Sequence, residues 1–301
     1  MVKKKKVSSE NKTAIKATVL ITLAFLLLAG IFLLFHKTKK IESLKPKPQV
    51  VRVVPKPIVP PVSKSKKPVV EKTFSGKGAK IAFILDDWGY RMSNCRYLKE
   101  IKAPLAIAVL PNLHHTNDIM KCANVYDKDI MLHLPLEPYI NRDPYPDNYL
   151  ITTKMPHANV EKLIDDTFKK MPLIIGVNNH MGSKATENKS LMRIVLRKIK
   201  DKGLFFVDSM TAPKHSICGE LADEMKIPFA QRNVFLDNVD TREAIEKQFV
   251  ELAQKARRKG YAIAIGHDRS LTMQILQEEI PVLQKQGFEI VHVKDLLRNK
   301  N

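Results

Sequence analysis

The sequence predicts an α/β fold in which short parallel strands alternate with helices, most simply a (β/α) barrel related to the TIM architecture. Two observations lead to this prediction. Apolar runs of four to six residues alternate with longer amphipathic segments from about residue 79 onward. The apolar runs lack polar alternation, which indicates strands that are buried on both faces and therefore parallel. An open doubly wound sheet is the alternative architecture.

The expected strands and helices follow one another along the chain. Eight apolar runs are the expected strands, and they lie at residues 80–85, 105–110, 129–134, 173–177, 204–208, 234–237, 261–266 and 289–293. The clearest helix-like segments lie at residues 158–170, 188–202, 241–259 and 270–287. Glycine stands at the end of three of these segments, where a helix cap favours it, at Gly203, Gly260 and Gly287. No glycine-rich dinucleotide or P-loop pattern occurs, which excludes those two classes.

The net charge of +20 lies mostly at the N-terminus. Residues 1–72 hold 17 Lys and Arg against 3 Asp and Glu, and the remaining residues hold 34 against 28. The globular part is therefore only mildly basic, and it has no basic stripe interleaved with aromatic residues. We expect no nucleic-acid partner.

The N-terminal sequence predicts a membrane anchor followed by a spacer. A basic stub, residues 1–16, precedes 19 residues without charge, 17–35, which suffice to span a bilayer as one helix. No small-residue cleavage site follows, so we expect an uncleaved transmembrane anchor. Residues 36–78 are a Lys/Pro-rich linker, and its seven prolines between 45 and 70 give a stiff spacer of roughly 80 Å.

The orientation of this anchor is not set by flanking charge, because lysines stand on both sides of the apolar run. A short N-terminal stub usually stays in the cytoplasm while a long following domain is exported. We therefore expect a single-pass protein whose domain, residues 79–301, lies on the outer, periplasmic side of the inner membrane. The three cysteines, Cys95, Cys122 and Cys218, form no C-x-x-C pair, and an exported domain has room for one disulfide of undecided pairing.

Polar residues collect at the expected carboxyl ends of the strands, where α/β folds place their active sites. In chain order these are Asp86 and Asp87, His133 with Glu137 four residues on, Asn178, Asn179 and His180, Asp208, Asp237, and His267. Asp and Asn are common helix N-caps when they follow a strand singly, but histidine is a poor cap. The whole set therefore indicates a functional site.

One carboxylate and two imidazoles, Asp87, His133 and His180, are the ligand set of a catalytic zinc that keeps one position open. A cation also explains the adjacent aspartates, because it relieves their repulsion and keeps Asp87 ionised. Asp86 is then available as a general base toward the attacking water.

An acid is also available for the leaving group. A protonated His267 would donate to it, and Asp208 would orient that imidazole and raise its pKa. The metal ligands, the general base and the general acid together are the groups that metal-assisted hydrolysis needs.

Five stretches carry a resemblance to a known family. In order along the chain they are "FILDDWG", "HLPLEP", "GVNNHMGS", "FFVDSMT" and "IGHDRSLT". Together they resemble the divergent polysaccharide deacetylases, a branch of the NodB-type carbohydrate esterases, over about residues 79–298. The resemblance implies a distorted (β/α)7 barrel and a metal-dependent hydrolase that removes acetyl groups from a peptidoglycan- or chitin-like glycan.

The resemblance also implies roles for individual residues. Asp86 takes the place of the general base and Asp87 that of a metal ligand, and His133 matches the first metal histidine. Glu137 stands where the family has its second histidine, and His180 is a candidate replacement. The late aspartate and histidine match Asp208 and His267, and the arginine of the family's R-P-P-Y-G-like motif is missing where residues 178–182 stand. Glu137 and Asn179 are further candidates for metal or substrate contact.

Two other functions compete with the hydrolase. A carboxylate pair such as Asp87 and Glu137 would suit a glycosidase that needs no metal. A non-catalytic envelope protein that binds glycan or protein on the same barrel is the other alternative.

Overall fold

The computed structural model describes residues 78–141, 143, 145–146 and 149–299. The expected anchor at 17–35, and all of the 36–78 linker except Gly78, lie outside these residues. Within the described ranges, no helix is both long enough and apolar enough to cross a bilayer.

The described residues form nine strands and seven α-helices, which alternate for most of the chain. The strands are β1 (Lys80–Trp88), β2 (Ala106–Val109), β3 (Asp129–Leu136), β4 (Gly176–Met181), β5 (Phe205–Asp208), β6 (Phe229–Gln231), β7 (Val234–Phe235), β8 (Tyr261–His267) and β9 (Glu289–Ile290). The helices are α1 (Cys95–Glu100), α2 (Thr116–Val125), α3 (His157–Lys170), α4 (Lys189–Asp201), α5 (Cys218–Met225), α6 (Arg242–Lys259) and α7 (Ser270–Lys285).

The strands form one curled parallel sheet in the order β6-β5-β4-β3-β2-β1-β8-β7, and β9 pairs with the start of β1. The two end strands, β6 and β7, are separated by only Arg232 and Asn233. The Cα atoms of Gln231, which ends β6, and Val234, which begins β7, are three steps apart along the chain and therefore at most about 11 Å from each other. The sheet must curl to bring its two end strands this close. Among the described strands no ladder joins β6 to β7, and the expected barrel is therefore a curled sheet with a seam.

Side chains alternate between the interior of the curl and the surrounding helices. On β1, Ile81, Phe83 and Leu85 belong to the large cluster under the helices, whereas Ala82 and Ile84 belong to the small interior cluster. Every other residue of a strand shares a face, so Asp86 continues the interior row of β1. This alternation later decides which polar residues meet.

All eight expected strands overlap observed ones, and the alternating parallel pattern is confirmed. The short β6 and the helices α1, α2 and α5 were not anticipated. The three helices have ten residues or fewer, too short for helical periodicity to stand out from the surrounding loops, and β6 has only three residues. The fourth strand begins at Gly176 rather than at 173, because the apolar residues before it form the turn that leaves α3.

The cysteine pairing left open by the sequence is Cys95 with Cys122, and Cys218 is a buried free thiol. The disulfide joins the first residue of α1 to α2, with Cα atoms 6.5 Å apart. It closes a loop with a sequence separation of 27 residues that includes β2. The covalent link thus restrains the segment that follows β1.

Replacing Cys95 and Cys122 by Ala is expected to lower the free energy of unfolding by about 3–4 kcal/mol, because the unfolded chain regains the entropy of an open loop of this length. Urea denaturation of the purified protein measures the change. A reducing agent should destabilise the wild type and leave the double variant unaffected. If the reducing agent changes neither protein, the disulfide does not restrain the fold.

Candidate metal centre and active site

The two aspartates at the end of β1 reach the interior because the strand contains a β-bulge. Leu85 pairs with Ile107 and Trp88 with Val109, so β1 has one more residue than β2 between these pairs. Adjacent residues of a regular strand point to opposite faces. Asp87 has a φ of 64°, a left-handed conformation that turns its carboxylate back toward the face of Asp86.

Asp87, His133 and His180 are brought together by β1, β3 and β4. Asp87 Oδ1 lies 3.2 Å from His133 Nε2 and 3.1 Å from His180 Nδ1, and the two nitrogens are 3.2 Å apart. Three atoms bound tetrahedrally to zinc at about 2.0–2.1 Å lie about 3.3 Å from one another. The three residues also form the candidate metal-binding group found in the described part of the chain.

The state of these atoms fits a cation as well as their spacing does. Asp87 Oδ1 is buried and has no hydrogen-bond partner of acceptable geometry. Burial raises the pKa of the Asp87 carboxyl, but the two imidazoles hold that pKa well below its usual range. An ionised, buried and unpartnered oxygen between two ring nitrogens is the donor that a metal ion requires.

Asn178 sets the tautomer of His133. Its Nδ2 donates to Asp86 Oδ1 over 2.7 Å, which leaves its Oδ1 to accept from His133 Nδ1 over 2.8 Å. With the proton on Nδ1, the lone pair of His133 is on Nε2 and faces the site. One buried amide therefore aligns both a metal ligand and the neighbouring carboxylate.

Asp143 is the carboxylate nearest to the other ring nitrogen of His180, at ion-pair distance and without hydrogen-bond geometry. Asp143 Oδ1 lies 3.3 Å from His180 Nε2 and accepts a hydrogen bond from the hydroxyl of Tyr90 over 3.4 Å. Burial alone lowers the pKa of His180, but Asp143 and Asp87 on either side of the ring outweigh it and raise the pKa to about 9. This negative environment favours a cation, and a proton on Nε2 leaves Nδ1 free to bind it.

Asp86 lies beside the triad and is almost fully buried. Its Oδ2 is 3.8 Å from His133 Nε2, and its main-chain oxygen accepts from the amide of Asp268. Burial raises the pKa of Asp86, while the charges of His133 and His267 oppose that rise. A carboxylate with a raised pKa next to the metal position is suited to accept a proton.

His267 ends β8 on the other side of the pocket. Its Nδ1 lies 2.8 Å from Asp237 Oδ1, and its Nε2 lies 3.7 Å from Asp87 Oδ2. Burial lowers the pKa of His267, but the bond to Asp237 and its charge raise it above the ordinary value. The fully buried Asp237 is itself fixed by the amide of His267 and the hydroxyl of Thr272.

The expectation that Asp208 orients His267 is therefore not met. Asp208 Oδ1 accepts from the amide of Met210 over 2.7 Å, and its Oδ2 accepts from Ser216 Oγ over 2.6 Å. Phe205 and Val207 are the interior residues of β5, so Asp208 is on the helix-facing side. Its strand is also five positions away from β8 in the sheet, whereas β7, just before Asp237, is the neighbour of β8.

Two further candidates also have structural roles. Glu137 Oε2 accepts from the amide and hydroxyl of Thr153, and its Oε1 accepts from Lys184 Nζ, so Glu137 does not join the ligand group. Asn179 is on the outer face of β4, where its Oδ1 accepts from the amide of Ser209 and its Nδ2 donates to the oxygen of Met181. Both residues tie neighbouring loops together.

The sequence did not single out Asn178, Asp237 and Asp143 for the roles that the structure assigns. Asn178 and Asp237 were visible as strand-end residues, and knowledge of the strand order would have connected Asp237 to His267. Asp143 lies in the long loop between β3 and α3, and no spacing in the sequence marks it. Arg232, at the seam of the sheet, is another charged residue that no spacing marks, and its guanidinium donates to the main-chain oxygens of Ser209 and Met210.

Comparisons with known proteins give a matching family model and two curated relatives. Residues 83–297 match the family model of the divergent polysaccharide deacetylases. The chain is 31% identical over 201 residues to the uncharacterized protein YibQ of Escherichia coli, an alignment covering 67% of this chain and 62% of that protein. An uncharacterized protein of Haemophilus influenzae is 30% identical over 228 residues, covering 76% of this chain and 80% of that protein.

The fold has a solved counterpart. The uncharacterized protein ATU2773 of Agrobacterium tumefaciens superposes with a TM-score of 0.69 at 22% identity, over 73% of this chain and 89% of that one. This likeness shows the fold, a (β/α) domain built on a curled parallel sheet. Since the family model spans residues 83–297, the chain belongs to the divergent polysaccharide deacetylase family, and the resemblance drawn from the five motifs is confirmed.

The full-length protein, purified without chelator and offered zinc, is expected to bind about one ion. Replacing Asp87, His133 or His180 by Ala should abolish binding, because each supplies one of only three protein ligands. Asn178→Ala should weaken binding by about 10–100-fold through the loss of His133 alignment. Elemental analysis and chelator competition measure both effects. Glu137→Gln is the control, and loss of zinc in that variant would contradict the ligand set.

Asp237→Asn is expected to lower the pKa of His267, because the substitution removes the negative charge that stabilises the imidazolium. The protonated fraction of His267 then disappears at a lower pH than in the wild type. A histidine NMR titration measures the shift. Asp208→Asn is the matched control and should leave the pKa of His267 unchanged; the opposite pattern would restore the pairing that the sequence suggested.

Proposed function

We propose that the protein is a metal-dependent hydrolase that removes acetyl groups from N-acetylated envelope glycan. The observation that carries this proposal is the triangle of Asp87, His133 and His180, with Asp86 on one side and His267 on the other. Two nitrogens and one carboxylate oxygen are the donor set that zinc favours, and zinc is the metal we propose. Family membership supports a carbohydrate substrate.

The chain supplies a base and an acid for amide hydrolysis. A zinc ion held by the triad would polarise the acetamide carbonyl and make water a stronger acid. Asp86, aligned by Asn178, takes the proton of the water whose oxygen attacks the carbonyl carbon. His267 then donates its Nε2 proton to the sugar nitrogen as the carbon–nitrogen bond breaks, which yields acetate and a free amine.

The geometry supports this role for His267 in two ways. Its Nδ1 is engaged by Asp237, so only Nε2 faces the pocket. Its raised pKa keeps the ring protonated to a higher pH than an isolated histidine. The charge on Asp237 also stabilises the imidazolium before the proton is transferred.

The glycosidase alternative needs Glu137 as its second catalytic carboxylate. Both oxygens of Glu137 already accept hydrogen bonds from Thr153 and Lys184, which disfavours this alternative. The remaining alternative is a binding module that retains the metal site without turnover. Release of acetate distinguishes these functions, because a binding module releases none.

We also propose that the domain lies outside the cytoplasm, tethered by residues 17–35 and the Pro-rich linker. The Cys95–Cys122 disulfide supports this location, since disulfides persist in oxidising compartments such as the periplasm.

The full-length zinc-loaded protein is expected to release acetate from chitin- or peptidoglycan-derived oligomers. Asp86→Asn should keep the metal and lower the rate by about 10²–10⁴-fold, because an amide cannot accept the proton. His267→Ala should behave in the same way. Acetate assays with parallel metal analysis measure both quantities. A wild type that binds zinc and releases no acetate from any of these oligomers would favour the binding module.

The topology can be tested on intact spheroplasts. Added protease is expected to release a soluble fragment that begins near residue 70, because the linker would be exposed outside the membrane. Immunoblotting of the supernatant and N-terminal sequencing identify the fragment. Protection of the domain in intact spheroplasts, with cleavage only after lysis, would reverse the proposed orientation.

A further inference from the structure

The pocket over the metal site has a basic side that the proposed reaction does not use. It has a volume of about 300 Å³, opens over Asp87 and His267, and is also lined by Arg91 and Arg269. Arg91 follows β1 and Arg269 follows β8. Because β1 and β8 are neighbours in the sheet, the two arginines approach the pocket from the same side.

Both guanidinium groups are held mainly by main-chain oxygens. Arg91 Nη2 donates to the oxygen of Asp268 over 3.3 Å, and Arg269 Nη1 donates to the oxygen of Asp237 over 2.8 Å. A carbonyl oxygen orients a guanidinium without neutralising its charge. Each group has five N–H donors, so most donors of each remain for a ligand. The side chain of Arg91 is 59% exposed.

Two of the three nearby carboxylates face the site histidines, and the third, Asp268, lies within ion-pair distance of Arg91. Asp87 and Asp143 face the imidazoles of His133 and His180. Asp268 Oδ2 is 3.9 Å from Arg91 Nε, too far for a hydrogen bond, and Asp268 Oδ1 accepts from Asn94 over 2.6 Å. Burial raises the pKa of Asp268 to about 6, and even when ionised Asp268 offsets only one of the two arginine charges.

We propose that Arg91 and Arg269 bind a carboxylate of the substrate, so that the natural substrate is an acidic N-acetylated glycan rather than a neutral one. A guanidinium group matches the planar geometry of a carboxylate and can donate two parallel N–H bonds to it. The carboxylate would lie near the acetamido group that faces Asp87 and His267. This inference rests on the proposed deacetylase function and narrows its substrate class.

The test compares one glycan in two charge states. Peptide-free peptidoglycan chains carry a lactyl carboxylate on their N-acetylmuramic acid residues, and the matched substrate is the same material with its carboxylates converted to amides. Acetate release by the full-length zinc-loaded protein is expected to favour the acidic chains by about tenfold or more in kcat/KM, the size of a charge-assisted hydrogen bond. Neutral chitin oligomers should behave like the amidated chains.

The variants identify the residues responsible. Arg91→Gln combined with Arg269→Gln should bring the acid-to-amide ratio close to one, mainly by raising KM for the acidic chains. The control is Arg193→Gln, which removes the same charge from an exposed arginine paired with Glu224 on the helical surface. The inference is overturned if the wild type shows no preference, or if Arg193→Gln removes the preference equally.

A binding measurement separates failure of this inference from failure of the deacetylase function. If no substrate releases acetate, calorimetry compares binding of the acidic and amidated chains to the same variants. Preferential binding of the acidic chains that disappears in the double arginine variant would support the carboxylate site on a non-catalytic protein. Equal binding of both chains, or no binding of either, would overturn it.

Discussion

The left-handed turn at Asp87 is the conformation on which the rest of the site depends. A non-glycine residue pays about 1–2 kcal/mol for this φ, so the surrounding structure must hold it in place. The next residue, Trp88, is fully buried, and its main-chain oxygen accepts a hydrogen bond from the amide of Leu110. The oxygen of Asp86 accepts from the amide of Asp268. The packed core and these bonds thus place two like-charged carboxylates on one face.

Each imidazole of the site has a polar group behind it, and these groups differ in charge. His133 faces the neutral amide of Asn178, whereas His180 and His267 face the carboxylates of Asp143 and Asp237. A neutral partner suits His133, whose ligating nitrogen must stay unprotonated, and a carboxylate suits His267, which carries the proton of the proposed acid. Beside the ligand His180, Asp143 adds negative charge that favours a cation. Asn178 additionally binds Asp86, so the metal position and the proposed base are mechanically linked.

The expectation that functional residues follow the strands located nearly all of the site, since seven of the residues that meet there, all but Asp143, stand at the end of an expected strand. The same expectation could not decide which of two aspartates at different strand ends, Asp208 or Asp237, is the partner of His267. Because the strands are apolar on both faces, the sequence does not reveal which alternate row faces the interior. Asp208 and Asn179 are on the outer row, and Asp237 and Asn178 on the inner one. Residues of this kind are indistinguishable until the strands are paired.

The sequence by itself determined the alternation of strands and helices, the parallel sheet, and the polar edge that contains Asp86, Asp87, His133, His180 and His267. These features follow from local apolar pattern and residue type, which act over a few positions. Only the tertiary structure decided the bulge at Asp87, the partnership of Asp237 with His267, the engagement of Glu137 by Lys184, and the approach of Asp143 from a distant loop. Strand order and the face of each strand set these contacts, and both arise from packing between residues far apart in the chain.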